Sequence, residues 1–281
     1  MSTPADPLDI NEDALTEDYA VPASKAGGFA WPIRILTGIA AIFMALASLP
    51  FVRYVQLMNG NSGPLLRDAQ IRGFFITVAV LIVIVTLYQM SAGTELATAL
   101  RQSVFNLVSI LTGTGYSSAD YQLWGPFVVV LIFFAGLIGG CAGSTSCSIK
   151  IFRYQLLIAS IKAQVRKIHS PNGVFTPRYE GRPVSEDVLS SVMVFFVAFI
   201  VSLGVLAVLL GATGLDMITS LSGAAAALAN IGPGLGDTIG PTGNFSSLSD
   251  TAKWLLSAGM LVGRLELMAV FAILTSNFWR V

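Results

Sequence analysis

The sequence predicts an all-α membrane protein: two span–pore-loop–span repeats with re-entrant half-helices, preceded by one further transmembrane helix. Three observations carry this. The 281 residues are 54% hydrophobic and only 11% charged, less than half the roughly 25% charge of a soluble domain. Such a deficit is tolerable where the solvent is itself apolar. Long apolar segments recur, each sufficient to cross about 30 Å of hydrocarbon at about 1.5 Å rise per residue. Between them lie two stretches too short or too polar to cross, each a helical start that runs into glycine-rich backbone.

Residues 1–32 are acidic (Asp6, Asp9, Glu12, Asp13, Glu17, Asp18) and lack the basic start and short apolar region of a signal peptide, so a disordered tail is expected. Residues 33–70 hold the extra span, the uncharged Ile35 to Val52, and a basic loop. Residues 71–165 form the first repeat. Its spans are Gly73 to Ala92 and Phe127 to Ile149, the latter interrupted by glycines, and its pore loop is Thr94 to Ser118. Residues 166–187 are a basic linker. Residues 188–281 form the second repeat, with spans Val188 to Leu210 and Trp254 to Trp279 around the loop Asp216 to Gly240. The last span carries Arg264 and Glu266 in its middle.

Lys and Arg set the orientation. Arg153, Lys162, Arg166, Lys167, Arg178 and Arg182 cluster between the third and fourth spans, Arg53, Arg67 and Arg72 follow the first, and Arg280 ends the last. These fall on one side, which is predicted to be cytoplasmic. Both glycine-rich loops and the acidic tail then face outside. The net charge of zero gives no reason to expect nucleic acid.

Placing Gly115 on Gly232 aligns the two half-helices without gaps. It also brings Ile151-Phe152-Arg153 and Phe278-Trp279-Arg280 to within a few residues of register. Internal duplication in a membrane protein points to a transport pathway at the repeat interface.

The loops have the chemistry of an ion filter. A bare cation leaves water only where other oxygens replace it, and rings of backbone carbonyls do so in the TVGYG filters of potassium channels. Turning successive carbonyls inward needs backbone angles that glycine adopts cheaply. Thr112-Gly113-Thr114-Gly115-Tyr116 has that composition, with the tyrosine expected to brace the loop. Half-helices that run into such loops aim their partially negative C-termini at them, which favours a cation over an anion. Cys141 and Cys147 share one apolar Gly/Ser-rich stretch, and the single histidine, His169, lies well outside it. No cofactor or metal centre is expected, apart from a transported cation at the filter.

The motifs resemble a known family. Gly139-Gly140-Cys141-Ala142-Gly143-Ser144-Thr145, with Ile149-Lys150 and Arg153, is similar to the broken pore-lining helix of the Trk/Ktr/HKT potassium transporter superfamily. Asn230-Ile231-Gly232-Pro233-Gly234-Leu235-Gly236 with Asn244-Phe245 resembles the last filter loop of the bacterial Trk-type subunit, and Met260-Leu261-Val262-Gly263-Arg264-Leu265-Glu266 with Phe278-Trp279-Arg280 its final helix. The resemblance runs from about Ile33 to Val281 and covers the last two of that family's four repeats.

It implies potassium uptake across the bacterial inner membrane, by channel or symport, with K+ as the transported ion. The filter residues would be Thr112, Gly113, Thr114, Gly115, Asn230, Ile231 and Gly232. Beneath them would lie a gate of Gly139, Gly140, Gly143, Ser144 and Arg264, within the stretch Gly139 to Ser148. The implied partners are the lipid bilayer, a second copy or a chain supplying the first two repeats, and a cytosolic nucleotide-binding regulatory ring. Three departures stand out. Two repeats supply half a filter, so this chain alone is not expected to conduct: a partner supplies the rest, or the reading frame is truncated. Ser146-Cys147-Ser148 stands where glycines are common, which bears on how far the gate can move. Gly113 replaces a common threonine, a change expected to leave the filter intact.

Several residues admit two readings. Arg264 at mid-membrane faces the pore or anchors a loop carbonyl; the resemblance favours the pore. Glu266, off its face of the helix, is expected to be structural. Lys150 lines the inner mouth or snorkels to the interface. Asp120 and Asp237 concentrate cations or are solvated loop acids. The basic segment from Lys162 to Arg182 is a topology signal or, by the resemblance alone, a docking surface. Two other classes stay open: a non-conducting or modulatory membrane subunit, and, ranked last, a membrane enzyme, which would need a nucleophile, base or metal cluster at membrane depth.

Overall fold

A computed structural model of the chain describes residues 30–265, with side chains from residue 35. The acidic tail, Glu266 and the Phe278-Trp279-Arg280 ending lie outside the described residues. The elements are helices joined by short connections, with one two-stranded hairpin.

The first predicted span differs from expectation in a way that matters later. Helix α1 (Ala30–Ala47) stops short of Val52, and α2 (Phe51–Met58) leaves it at 97°. Pro50 has no N–H to continue the ladder and disfavours helical angles before it. A broken helix at membrane depth strands backbone groups, and they are taken up by the stretch after residue 138. Ser48 O accepts from Cys141 N (3.0 Å), Ala47 O from Thr145 Oγ1 (3.0 Å), and Phe51 N donates to Gly143 O (3.0 Å).

Helix α3 (Gly63–Arg67) is a short turn before α4 (Ala69–Ser91), a 23-residue span of about 34 Å. Asp68 caps α4: its Oδ1 accepts from Gln70 N (2.8 Å) and Ile71 N (3.4 Å) while its Oδ2 pairs with Arg53 Nη2 at 2.7 Å. Buried to 4% exposure, the carboxylate is tolerated because every one of these partners is a donor. Helix α5 (Leu96–Leu111) follows, 16 residues and too short to cross.

A single 3₁₀ turn (Tyr121–Trp124) leads to α6 (Pro126–Leu137), which stops at 12 residues rather than running on to Ile149. Gly139 and Gly140 are poor helix formers, and close approach explains them. A Cβ on Gly139 would lie 2.8 Å from Cys147 O, and one on Gly140 2.9 Å from Ser48 O. Residues 138–150 form an irregular loop closed by a parallel bridge between Ile138 and Ile149.

Helix α7 (Ile151–His169) emerges from this loop. Strands β1 (Arg178–Tyr179) and β2 (Arg182–Pro183) pair antiparallel around Glu180 and Gly181, both at positive φ as a two-residue type I′ turn requires. The hairpin sits on the start of α4: Glu180 Oε1 accepts from Ala69 N (3.0 Å), and Tyr179 donates to Gln155 Oε1 (3.0 Å), whose Nε2 donates to Ala69 O (2.8 Å). Burial, then the nearby Glu180 and Asp68 carboxylates, push the Tyr179 phenol up, so it remains a donor.

Helix α8 (Glu186–Ala212) is a 27-residue span, α9 (Met217–Ala229) is another half-helix, and α10 (Asp250–Arg264) packs on both. Gly259 and Gly263, four apart on α10, let it lie against α8 and α9. A Cβ at 259 would be 2.6 Å from Leu206 Cδ2 of α8, and one at 263 would collide with Leu228 O of α9. Small residues at this spacing let helices in lipid approach closely. A buried apolar cluster (Leu107, Ile110, Ile132, Ala229, Ile231) joins the two repeats.

Replacing Asp68 with Ala should lower stability by about 3 kcal/mol, since it removes a cap and leaves Arg53 without its carboxylate. Asp68→Asn keeps an acceptor for the cap and should lose clearly less in thermal unfolding of detergent-solubilised protein. Equal losses from the two would remove the cap from this account.

Candidate pore loops and gate

The two glycine-rich loops are built alike. Helix α5 ends in a Schellman cap: Thr114 N donates to Ser109 O (2.9 Å) and Gly113 N to Ile110 O (3.1 Å). Helix α9 ends identically, with Ile231 N on Ala226 O (3.0 Å) and Asn230 N on Ala227 O (3.1 Å). The motif needs a left-handed residue just past the helix, supplied by Gly113 (φ +72°) and Asn230 (φ +52°). Two residues on, Gly115 (φ +79°) and Gly232 (φ +111°) are left-handed again. The alignment that places Gly115 on Gly232 therefore superposes the caps as well. Gly113 is the helix-capping position, where a threonine would be strained; in this chain the substitution for threonine is not neutral to the backbone.

The loops meet. A Cβ on Gly113 would lie 3.3 Å from Asn230 O; one on Gly115 would collide with Ile231 O and lie 2.9 Å from Pro233 Cδ. Gly115 is thus required both by its angles and by its neighbour. Thr112 is buried and its hydroxyl bonds that of Thr114 at 2.8 Å. Thr114 and Gly232 are exposed on the open side. Tyr116, expected to brace the loop, is 70% exposed and braces nothing among the described residues.

Side chains that the sequence did not single out hold the returning backbone. Asn106, fully buried in α5, accepts from Ser118 N (2.9 Å). Ser222 in α9 both accepts from Leu235 N (2.9 Å) and donates to Leu235 O (3.1 Å). Residues 118 and 235 are equivalent in the repeat alignment, so each half-helix grips the same point of its own loop. Gln122 ties the copies together, its Oε1 accepting from Gly236 N (2.6 Å). Buried polar residues on otherwise apolar half-helices were the available signal. Asp120 accepts from Gln122 N (2.9 Å) as a local cap, and Asp237 is exposed.

Beneath the loops, residues 139–148 form the candidate gate. Ser146 Oγ accepts from Gly140 N (2.9 Å), Ser144 Oγ donates to Cys141 O (2.7 Å), and Ser148 Oγ lies 3.0 Å from Gly136 O and 3.2 Å from Ala229 O. Ser148 is itself left-handed (φ +33°), and Gly143 (φ +73°) has open space around its missing Cβ. The serines standing in place of glycines are therefore tethers, one of them to the end of the α9 half-helix. Arg264 Nη1 donates to Thr145 O (3.3 Å) and to Cys147 Sγ (2.8 Å). Arg264, Lys150, Ser144 and Thr145 line a cavity of about 220 Å³. The loop-anchor role of Arg264 is thus present in the geometry, on the wall of that cavity. No cluster of three or more potential metal ligands occurs among the described residues.

This is a membrane protein with two re-entrant half-helices whose capped ends meet above a tethered intramembrane loop. The sequence profile of TrkH, described as cation transport protein, matches residues 26–279. The chain belongs to that family. The Trk system potassium uptake protein TrkI of Halomonas elongata is 42% identical over 278 residues, 98% of this chain and 56% of that protein. TrkH of Escherichia coli K12 is 32% identical over 279 residues, 95% of this chain and 57% of that protein. The crystal structure of the potassium transporter TrkH from Vibrio parahaemolyticus superposes with a TM-score of 0.82 at 30% identity, covering 88% of this chain and 53% of that one. The chain spans about half the length of these relatives.

Gly115→Ala should be far more damaging than Gly93→Ala. A Cβ on Gly93 (φ +91°) would meet nothing within 4 Å, so that variant should lose only the left-handed strain of about 1–2 kcal/mol. The alanine at 115 adds a backbone collision and should abolish recovery of folded protein or lower its unfolding temperature several times as much. Comparable losses would separate the loops from one another.

Proposed function

We propose that this chain supplies half of a potassium uptake pathway in the bacterial inner membrane. Residues 71–165 and 188–281 would be pore-loop repeats joined by a cytoplasmic linker, 166–187. The carbonyls of Thr112, Gly113, Thr114 and Gly115, and of Asn230, Ile231 and Gly232, would replace the water of the ion. The observation that carries this reading is the matched pair of loops, each left-handed at two equivalent positions and in contact with the other. Two half-helix C-termini then aim partial negative charge at one region, which favours a cation. The names of the relatives give potassium.

Gly139, Gly140, Gly143 and Ser144 would form the barrier beneath the filter, with Arg264 holding it closed by its bonds to Thr145 and Cys147. Opening would require those bonds, and the Ser148 tether, to be exchanged for others. The second half of the filter would come from further repeats on the same polypeptide or on another chain. The cytosolic regulatory ring implied by the family resemblance would sit on the cytoplasmic side. A second reading is a non-conducting or modulatory subunit that pairs with a complete relative.

Growth of an uptake-deficient bacterium at low potassium should fail with this chain alone and recover when a chain carrying the other two repeats is co-expressed. Growth in neither case would reject the uptake reading and leave the modulatory one. In the rescued strain, Gly232→Ser should reduce discrimination against sodium by about tenfold or more, since a side chain at φ +111° disturbs the carbonyl ring. Unchanged discrimination would remove Gly232 from the filter.

A further inference from the structure

Of the left-handed positions that match between the two loops, Gly113, Gly115 and Gly232 are glycines and Asn230 is not. Glycine caps the equivalent helix end at 113, so the backbone angle alone does not call for a side chain at 230. That side chain reaches another helix. Asn230 Nδ2 donates to Met260 O of α10 at 3.1 Å. Gly263 leaves room for it: a Cβ at 263 would lie 2.9 Å from Asn230 Nδ2. Met260 and Arg264 are both helical and four residues apart, so helical geometry puts the Arg264 N–H on the same carbonyl.

From Arg264 the contacts return to their start. Its Nη1 donates to Thr145 O and Cys147 Sγ. Ser148, the next residue, donates its N–H to Ala229 O at 3.3 Å, and Ala229 immediately precedes Asn230. Residues 229–230, 260–264 and 145–148 thus close a ring of contacts. A second route runs beside it. A Cβ on Gly136 would lie 2.6 Å from Ile231 Cδ1, and Gly136 O is 3.0 Å from Ser148 Oγ. In an open chain of contacts a broken link frays locally. In a ring, each link limits how far the others can move, so breaking one loosens all.

We propose that Asn230 is a positioning residue whose carboxamide couples the candidate filter to the candidate gate through the Met260–Arg264 turn of α10. The assignment rests on reading 230–232 as filter and 139–148 as gate. The carboxamide holds the filter loop against α10, and the same helical turn carries the arginine that holds the gate loop. Linkage makes the coupling reciprocal: a gate loop released by Arg264 loosens the filter loop, and a filter loop released by Asn230 loosens the gate.

Hydrogen–deuterium exchange of the purified full chain in detergent, read by mass spectrometry, tests this. N230G and N230D both suit a left-handed position and both lack the donor. Each should speed exchange across 139–148 by about five-fold, the opening expected on losing one hydrogen bond, with α4 and α8 unchanged. R264Q should speed the same segment and also 230–236, and N230G/R264Q should exceed neither single variant. Q122A, which frees Gly236 N on the same loop, should speed 235–240 and leave 139–148 as it was. Unchanged exchange across 139–148 in N230G and N230D overturns the proposal. Additive effects in the double variant overturn it too, as does a uniform rise that includes α4 and α8, which would make Asn230 merely structural. An equal rise across 139–148 in Q122A would take the coupling away from Asn230. If neither Asn230 variant folds, R264Q decides: a faster gate segment with an unchanged 230–236 overturns the proposal. The readout needs no ion flow, so a failed growth test would remove the filter reading and leave the exchange result as coupling between two loops.

Discussion

Main chain that leaves helical geometry inside a bilayer must find its hydrogen-bond partners within the protein, and this requirement organises the molecule. Residues 112–118, 138–150 and 230–240 all leave helical geometry, and groups freed by one interruption are used by another. The break at Pro50 releases the Ala47 and Ser48 carbonyls that Thr145 and Cys141 use. The end of α9 releases the Ala229 carbonyl that Ser148 uses. The irregular parts therefore form one connected network, in which a bent helix, the candidate gate loop and a half-helix depend on one another.

That interdependence shapes the candidate gate. Its glycines permit close approach at 139 and 140 and a left-handed turn at 143, while its serines bond it to neighbours above and beside it. Arg264 adds a cation that donates to the same loop. The segment is held by individually modest hydrogen bonds, each worth about 1 kcal/mol net. The Gln70 side chain, one residue into α4, bonds Ala142 N at 2.8 Å. The 138–150 loop is thereby joined to the N-terminal end of that span, where Glu180 and Gln155 are fastened.

Much of this was legible in the sequence. Low charge and long apolar segments gave the membrane class, the half-helices ended at their glycine-rich loops, and the Gly115–Gly232 register matched down to the caps. What escaped has physical causes. The first span reads as continuous because Ser48, Leu49 and Phe51 are as compatible with lipid as with a bend, and only Pro50 marks the break. Gly113 looked like an incidental substitution because the left-handed cap it supplies is a backbone property, and Tyr116 looked like a brace because its exposure depends on tertiary structure. Asn106, Gln122 and Ser222 act across turns and between repeats, a relation that spacing along one helix does not reveal. The Gly259–Gly263 pair was readable, as two small residues four apart in an apolar helix.

In the proposed pathway, two left-handed stretches of main chain offer oxygens to one bare cation. Anomalous scattering from thallium ions soaked into crystals of the complete four-loop assembly tests this most directly. The account predicts a peak within coordination distance of carbonyl oxygens from both 112–115 and 230–232. Thallium bound elsewhere, with these carbonyls turned away from the shared axis, would contradict it.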